Sequence, residues 1–382
     1  MKKLRIGQIG PLNLPIPPKK YGGTEKIIYS LCEGLTKKGH EVFLFAAKDS
    51  KTSAHLCPIV EKSFWTLKSK PQEYAPYYAY QMAIVAEKAK KLKLDILHDH
   101  LGPWSLALYG QTKIPIVHTL HVPFKNKDRI WTYRKLNSKL ISLSFAQRKT
   151  APDLNYVANI YNGIDLSLFP FNQKPKNYFI WAGELSPRKG IMEVIKIAEL
   201  AKIKLIIIGR IPPPIQGMDY IFFNKYIKKN LNKGNIKYLG EANQEKIGKY
   251  YKNAKAFLYP LQWEEPFGLT MIESMACGTP VIAFKRGSVP EVIKDGKTGF
   301  IVSPWDKQGK VNLKGFIQMI KKIDQIDRKE CRNLVKENFS AERMVDNYEK
   351  TFFKILKQSS LGRSSTTGES SAKATDGRAL LR

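Results

Sequence analysis

Glu265 and Glu273 flank a Pro-Phe-Gly-Leu turn that leads into a helix predicted to begin near Thr270. Glycine at the turn lets the backbone approach a ligand closely. The dipole of the helix and its free amides favour a bound diphosphate. On this interpretation Glu273 accepts hydrogen bonds from ribose hydroxyls and Glu265 holds sugar hydroxyls. The amides predicted to face the diphosphate belong to Phe267, Gly268 and Leu269.

A second candidate phosphate site is the glycine pair Gly22 and Gly23, which precedes a predicted helix. Residues 4–9 form a predicted buried strand just upstream, so the pair follows the first strand of the chain. Backbone amides at such a position approach phosphate or sugar oxygens without steric hindrance. The chain has no GxGxxG pattern here, which disfavours a nicotinamide or flavin dinucleotide.

The string at residues 263–280 resembles the donor-binding element of the retaining glycosyltransferases with the GT-B fold, in particular glycosyltransferase family 4. Residues 21–25 resemble the glycine loop of that family, residues 162–165 its interdomain element and residues 183–190 its basic clamp. The resemblance covers nearly the whole chain up to the tail. It implies two Rossmann-like, doubly wound parallel-sheet domains that face a central cleft.

The same resemblance implies an activity in glycan biosynthesis. A sugar passes from a nucleotide diphosphate sugar to an acceptor hydroxyl with retention at the anomeric carbon, by front-face attack. UDP-sugar is the favoured donor and GDP-sugar the second. The acceptor is a glycan, a lipid-linked molecule or a small molecule received mainly by the N-terminal domain. No metal and no other cofactor is expected.

The basic clamp departs from the family pattern, which reads Gly, Arg, Leu, three variable residues, Lys, Gly, with the two cations neutralising the departing diphosphate. Lys189 matches, but Glu184 occupies the arginine position. A carboxylate there repels a diphosphate unless another cation intervenes. We therefore expect Glu184 to pair with Arg188 or with Arg210, which follows the predicted strand at residues 205–208, and one of these arginines to reach the phosphates.

Four histidines, His98, His100, His118 and His121, end two neighbouring predicted strands. Side chains at the carboxyl ends of parallel strands point into the ligand crevice. His121 resembles the family histidine that contacts the donor near the reacting carbon, and His118 is predicted to pack within its strand. The roles of His98 and His100 stay open. A zinc cluster is disfavoured because it needs a carboxylate or thiolate partner.

Alternating strands and helices divide the 382 residues into two predicted domains. The first covers residues 1–172 and receives the acceptor, and the second covers residues 173–340 and binds the nucleotide sugar. Residues 341–357 are expected, by resemblance, to form a helix that crosses back to the first domain. Residues 358–382 are rich in Ser, Thr, Gly and Ala, which is typical of a disordered tail outside the fold.

The charged and cysteine residues of the chain indicate which kinds of partner and which compartment fit it. The 64 Lys and Arg against 33 Asp and Glu give a formal charge of +31, which favours anionic partners. Residues 124–149 mix basic and aromatic side chains, typical either of a surface that contacts anionic membrane or, as we favour, of a helix with its aromatic residues in the core. Four scattered cysteines and the absence of a long apolar run predict a cytoplasmic protein, in peripheral contact with the inner face of the membrane at most.

Two other functions are compatible with these features. A nucleotide-sugar epimerase shares the architecture, but it needs acid and base residues around the sugar ring that the sequence does not identify. A non-catalytic binder of anionic membrane or nucleic acid is suggested by the charge and by Glu184, although nucleic acid is the less favoured partner.

Overall fold

The computed structural model describes residues 2–67, 73–124 and 127–364 of the chain. It contains two parallel α/β sheets, as the alternation of strands and helices predicts. The first sheet has seven strands in the order β3-β2-β1-β4-β5-β6-β7. These strands are β1 (Arg5–Ile9), β2 (Glu41–Ala46), β3 (His55–Pro58), β4 (Ile96–Asp99), β5 (Ile116–Thr119), β6 (Lys139–Ser142) and β7 (Tyr156–Asn159).

Helices cover both faces of this sheet. The apolar side of the first helix buries Ile27, Ile28, Leu31 and Leu35 against one face, and the second helix packs Met82 and Val85 on the other. The helices of this part are α1 (Gly23–Lys37), α2 (Ala75–Lys91), α3 (Lys127–Lys135) and α4 (Phe145–Arg148). Their positions fit the crossover connections that parallel strands require.

The second sheet has six parallel strands in the order β10-β9-β8-β11-β12-β13. These strands are β8 (Phe179–Glu184), β9 (Leu205–Arg210), β10 (Ile236–Tyr238), β11 (Phe257–Tyr259), β12 (Val281–Phe284) and β13 (Gly299–Val302). The helices around it are α5 (Ile191–Leu200), α6 (Met218–Phe222), α7 (Gln244–Tyr251), α8 (Leu269–Ala276), α9 (Val289–Val292), α10 (Leu313–Lys322) and α11 (Arg328–Asn338). Its strand order is that of a Rossmann-like sheet.

The last helix, α12 (Ala341–Ser364), packs against α1 of the first domain. Gly34 allows this close approach, because a Cβ there would lie 2.5 Å from the side chain of Val345. Glu349 of α12 accepts a hydrogen bond from His40 at 2.8 Å. The helix continues past Lys357 to Ser364, so the sequence places its end too early. The rest of the predicted tail, residues 365–382, lies outside the described residues.

Three strands of the first sheet, β3, β6 and β7, have no counterpart among the strands that the sequence predicts. Each has four residues. Strands β6 and β7 pair side by side beyond β5 and complete the sheet.

The segment at residues 124–149 only partly follows the favoured interpretation. Phe124 and Tyr133 are buried as expected, but Trp131 is 56% exposed on α3 and Phe145 is 58% exposed on α4. The expectation that the aromatic residues lie in the core is therefore wrong for these two. Lys125, one of the basic residues of the segment, lies outside the described residues. Within the described part of the chain, no helix has the length and apolar character needed to cross a membrane.

Glu291 on α9 of the second domain joins the two domains. Its carboxylate accepts hydrogen bonds from the backbone N–H groups of Phe145 and Ala146 at 2.8 and 2.7 Å, at the amino-terminal end of α4. The hydroxyl of Tyr161 donates to the same carboxylate at 3.0 Å. A negative charge at a helix amino terminus is favourable, so this contact stabilises the observed arrangement of the domains.

Candidate active site

A cleft of about 350 Å³ lies between the two domains, where the carboxyl ends of both sheets meet. Open α/β sheets place ligand crevices at this position. The structure brings every site residue predicted from the sequence to the walls of this cleft. These residues are Gly22, Gly23, His121, Arg188, Lys189, Arg210, Glu265, Phe267, Gly268, Leu269 and Glu273.

The glycine loop forms the wall contributed by the first domain. Gly22 is the N-cap of α1 and has a φ of 137°, a conformation that side-chain-bearing residues rarely adopt. A Cβ on Gly23 would lie 3.4 Å from the side chain of Leu269 across the cleft. The loop therefore lies against the donor element of the second domain, with the amino-terminal end of α1 facing the space between them.

Helix α8 supplies the opposite wall. Its N-cap is Gly268, whose φ of 82° lies in the left-handed region, so the turn suits glycine. Glu273 lies in this helix, is buried, and has its carboxylate 3.8 Å from the ammonium group of Lys26 on α1. Glu273 thus lies where the first helix after the glycine loop contacts the donor element.

Glu265 is held by three donors that converge on one of its oxygens. Oε2 accepts from Nζ of Lys189 at 2.5 Å, from the hydroxyl of Tyr259 at 2.9 Å and from Nε1 of Trp263 at 3.0 Å. The ammonium group of Lys189 also lies 4.8 Å from the centre of the Trp263 ring. These contacts fix the position of the carboxylate in the cleft.

Glu184 pairs with both candidate arginines, which confirms the predicted pairing. Its carboxylate accepts from Arg188 at 2.7 Å and also from Arg210, and the side chain is fully buried. Burial alone would raise the pKa of the Glu184 carboxyl, but the hydrogen bond and charge of Arg210, with the charge of Arg188, hold the pKa below its usual value. Glu184 therefore joins Arg188 and Arg210 in one group of a carboxylate and two guanidinium groups. We refer to these three residues as the two-arginine clamp.

Arg210 is further held by two aromatic rings of the other domain. Its guanidinium carbon lies 4.3 Å from the ring centre of Tyr21 and 4.4 Å from that of Trp65. Cation–π contacts with two rings help to hold the guanidinium group at the domain boundary.

Three of the four histidines pack together, with ring centres 4.1 Å apart for His98 and His100 and 5.1 Å apart for His100 and His121. Nδ1 of His118 lies 3.0 Å from the carboxylate of Asp99, and Nε2 of His98 lies 2.7 Å from the hydroxyl of Thr119. His100 and His121 contact each other, and His121 lines the cleft. Among the described residues, no group of three or more His, Cys, Asp or Glu side chains is arranged to hold a metal ion.

Several cleft residues were not predicted from the sequence. Glu241 and Ala242 follow β10, and the rule that ligands bind beyond the carboxyl ends of parallel strands would have identified them. Trp263, the first residue of the donor element, and Tyr259, which precedes it, hold Glu265, a role that only the fold reveals. The unpredicted residues of the lining include Tyr21, Thr24, Lys26, Glu241, Ala242, Ile247, Tyr259 and Trp263.

Comparison with known proteins agrees with this architecture. The family model for glycosyl transferases group 1 matches residues 168–338, and the model for glycosyltransferase family 4 matches residues 21–168. A relative in Bacillus anthracis, N-acetyl-alpha-D-glucosaminyl L-malate synthase, is 24% identical over 383 residues, which cover 90% of this chain and 96% of the relative.

Two solved structures have the same fold. AviGT4, a glycosyltransferase involved in avilamycin A biosynthesis, has a TM-score of 0.68 at 18% identity, covering 93% of this chain and 98% of its own. HepE of Anabaena, in complex with UDP and glucose, has a TM-score of 0.70 at 18% identity, covering 92% of this chain and all of its own. The fold is GT-B, and the chain belongs to the group 1 glycosyltransferases, with a family 4 N-terminal domain.

Proposed function

We propose that this glycosyltransferase moves a hexose from a UDP-sugar to an acceptor hydroxyl with retention of configuration and without a metal ion. The observation that carries the proposal is the convergence in one cleft of the two helix amino termini, the Lys189–Glu265 pair and the two-arginine clamp. Backbone amides and cations together suit a diphosphate. The complex of HepE with UDP and glucose supports UDP over GDP as the nucleotide.

Ion pairing of three cleft carboxylates supports front-face attack. Glu184, Glu265 and Glu273 each face a cation, so none of these three is free to act as a base. The acceptor oxygen then attacks the anomeric carbon from the face that the leaving group departs from. The bond from that carbon to the β-phosphate oxygen breaks, and the same oxygen takes the acceptor proton, which gives UDP and a retained linkage.

Catalysis in this scheme rests on orientation and on stabilising the charge that develops on the diphosphate. Lys189 and one arginine of the clamp supply positive charge. Helix α8 supplies the amides of Phe267, Gly268 and Leu269, and Glu273 holds the ribose. His121 and Glu265 contact the sugar, while Gly22 and Gly23 cover the phosphates from the opposite domain.

The reaction is tested by product analysis with purified protein and a panel of UDP-, GDP- and ADP-sugars in the presence of EDTA. A donor at 100 times its dissociation constant raises the free energy of unfolding by about 2.7 kcal/mol, so thermal shift selects the donor first. Proton NMR of the product with a panel of sugar, lipid and small-molecule acceptors then reads the anomeric configuration. We expect UDP release and an α-linked product. An inverted product, or activity that EDTA abolishes and magnesium or manganese restores, would contradict the proposal.

The same purified protein and donor also distinguish a transferase from an epimerase. Incubation of the donor without an acceptor leaves the sugar unchanged in a transferase, apart from slow hydrolysis, whereas an epimerase converts it to a stereoisomer. Stereoisomer formation at the rate of donor consumption would replace the transferase proposal.

Peripheral contact with an anionic membrane is a further part of the proposal, and it rests on α3. Trp131 is exposed there, and the ammonium group of Lys135 lies 5.9 Å from the centre of its ring. Exposed tryptophan with adjacent lysine is typical of interfacial helices. We expect co-sedimentation with vesicles containing phosphatidylglycerol, weakened by Trp131→Ala. Equal recovery of the two proteins with the vesicles would exclude this surface.

A further inference from the structure

Gln8 on β1 is fully buried beneath the cleft, and the proposed mechanism gives it no role. Its Oε1 lies 2.9 Å from Nε2 of His100. Nδ1 of His100 in turn lies 2.8 Å from Nε2 of His121. A continuous line of hydrogen bonds therefore joins a buried amide to the histidine at the cleft surface.

Both rings are neutral. Burial, with the neighbouring His98 and His121, lowers the pKa of His100 well below its usual value, and burial lowers the pKa of His121 to about 4. A neutral imidazole has one N–H donor and one acceptor nitrogen. The bond between the two rings therefore has a direction, and whichever atom Gln8 presents to His100 determines it.

The structure presents the oxygen of Gln8, and an oxygen only accepts. Nε2 of His100 must then carry the hydrogen, so Nδ1 of His100 accepts from Nε2–H of His121. Nδ1 of His121 is left with a free lone pair. It makes no hydrogen bond with the described residues and is not among their buried, unpartnered polar atoms, so it is open to the cleft.

We propose that Gln8 is a positioning residue that sets the tautomer of His121 through His100, so that Nδ1 of His121 accepts a hydrogen bond from a hydroxyl of the bound sugar. The role in sugar binding rests on the proposed function, whereas the tautomer itself does not. The opposite tautomer would present an N–H to that hydroxyl, which would have to turn its own hydrogen elsewhere. Gln8 thereby selects the polarity of the contact without touching the substrate.

The tautomer is measured directly by two-bond proton–nitrogen NMR on protein labelled with ¹⁵N-histidine, with His121 assigned from the spectrum of His121→Gln. Wild type should show hydrogen on Nε2 of His121. Gln8→Met, which has similar length but no hydrogen bond, should give a mixture of the two tautomers.

Kinetics provide the second readout. Gln8→Met should lower kcat about two- to tenfold, the range for one neutral hydrogen bond, while the thermal shift produced by UDP stays unchanged. The matched control is Gln81→Met, since Gln81 is equally buried in the same domain and bonds to the carbonyl of Gly10 at 2.9 Å. It should lose stability without altering the tautomer.

A wild-type His121 with hydrogen on Nδ1, or an unchanged tautomer in Gln8→Met, overturns the proposal. If Gln8→Met does not fold, the wild-type spectrum still decides the direction. Because the spectra need no substrate, a protein that shows the expected tautomer but turns over no nucleotide sugar would refute the proposed function and leave this assignment intact.

Discussion

Replacing Glu184 by arginine restores the residue that the family pattern has at this position, and we predict that it damages the protein. In the structure the Glu184 carboxylate lies between Arg188 and Arg210 and is fully buried. An arginine there would face both guanidinium groups. Arg210 has little freedom to withdraw, because the rings of Tyr21 and Trp65 enclose it.

The magnitude follows from the two contacts that change. Removing one partner of a buried ion pair costs about 3–5 kcal/mol. Two like charges ~4 Å apart add up to about 4 kcal/mol at an effective dielectric of 20. The side chain of Arg188 is 42% exposed, so solvent screens its share and the side chain can turn outward. We therefore expect Glu184→Arg to lower the free energy of unfolding by at least about 3 kcal/mol, and by up to about 9 kcal/mol if the repulsion from Arg210 is fully felt.

Urea denaturation and steady-state kinetics measure the two consequences. Glu184→Arg should unfold at lower urea and turn over more slowly than wild type. The double variant Glu184→Arg with Arg188→Glu exchanges the charges of a pair four residues apart and should recover at least half of the lost stability. Arg210→Ala should lower kcat by about 100-fold if its guanidinium reaches the phosphates. A Glu184→Arg enzyme at least tenfold faster than wild type, with Arg188→Ala and Arg210→Ala both neutral, would refute this reasoning.

Two further predictions concern single side chains of the cleft and its rim. Lys189→Ala should lower kcat by about 100- to 1000-fold, with a smaller effect on donor affinity, because its charge acts mainly on the departing diphosphate; unchanged turnover would remove Lys189 from the mechanism. Burial raises the pKa of the Glu25 carboxyl from 4.5 to about 7, so the folded state binds more protons than the unfolded state between these values and loses stability as pH rises. Glu25→Gln should remove this loss. In urea denaturation, the gain in free energy of unfolding of the variant over wild type should be larger at pH 8 than at pH 5 by about 3 kcal/mol. An equal gain at both pH values would contradict the raised pKa.

The chemistry of the donor element is readable from the sequence because its residues are contiguous. Glu265, Gly268 and Glu273 lie in one string, and a single turn and helix position them. The same holds for the glycine loop at the start of α1. For such elements the local backbone determines the site, and the structure places them where the sequence predicts.

Contacts between distant parts of the chain are not readable in this way. Nothing near Arg210 in the sequence indicates that Tyr21 and Trp65 of the other domain enclose it. Gln8 and His100 are joined only because β1 and β4 are neighbours in the sheet. The sequence prediction for Glu184 left two arginines as alternatives, and the fold brings both to the same carboxylate.

The most direct test of the proposed donor site is calorimetric titration of UDP into wild type and Glu273→Gln, both in EDTA. We predict one site per chain in wild type and an affinity loss of about 1.5–3 kcal/mol in the variant, because charged hydrogen bonds to the ribose are lost. Glu273 is buried, so thermal unfolding of the variant must first show that the fold is retained. No UDP binding by the wild type, or equal affinity in a folded Glu273→Gln, would contradict the assignment of this cleft to a nucleotide-sugar donor.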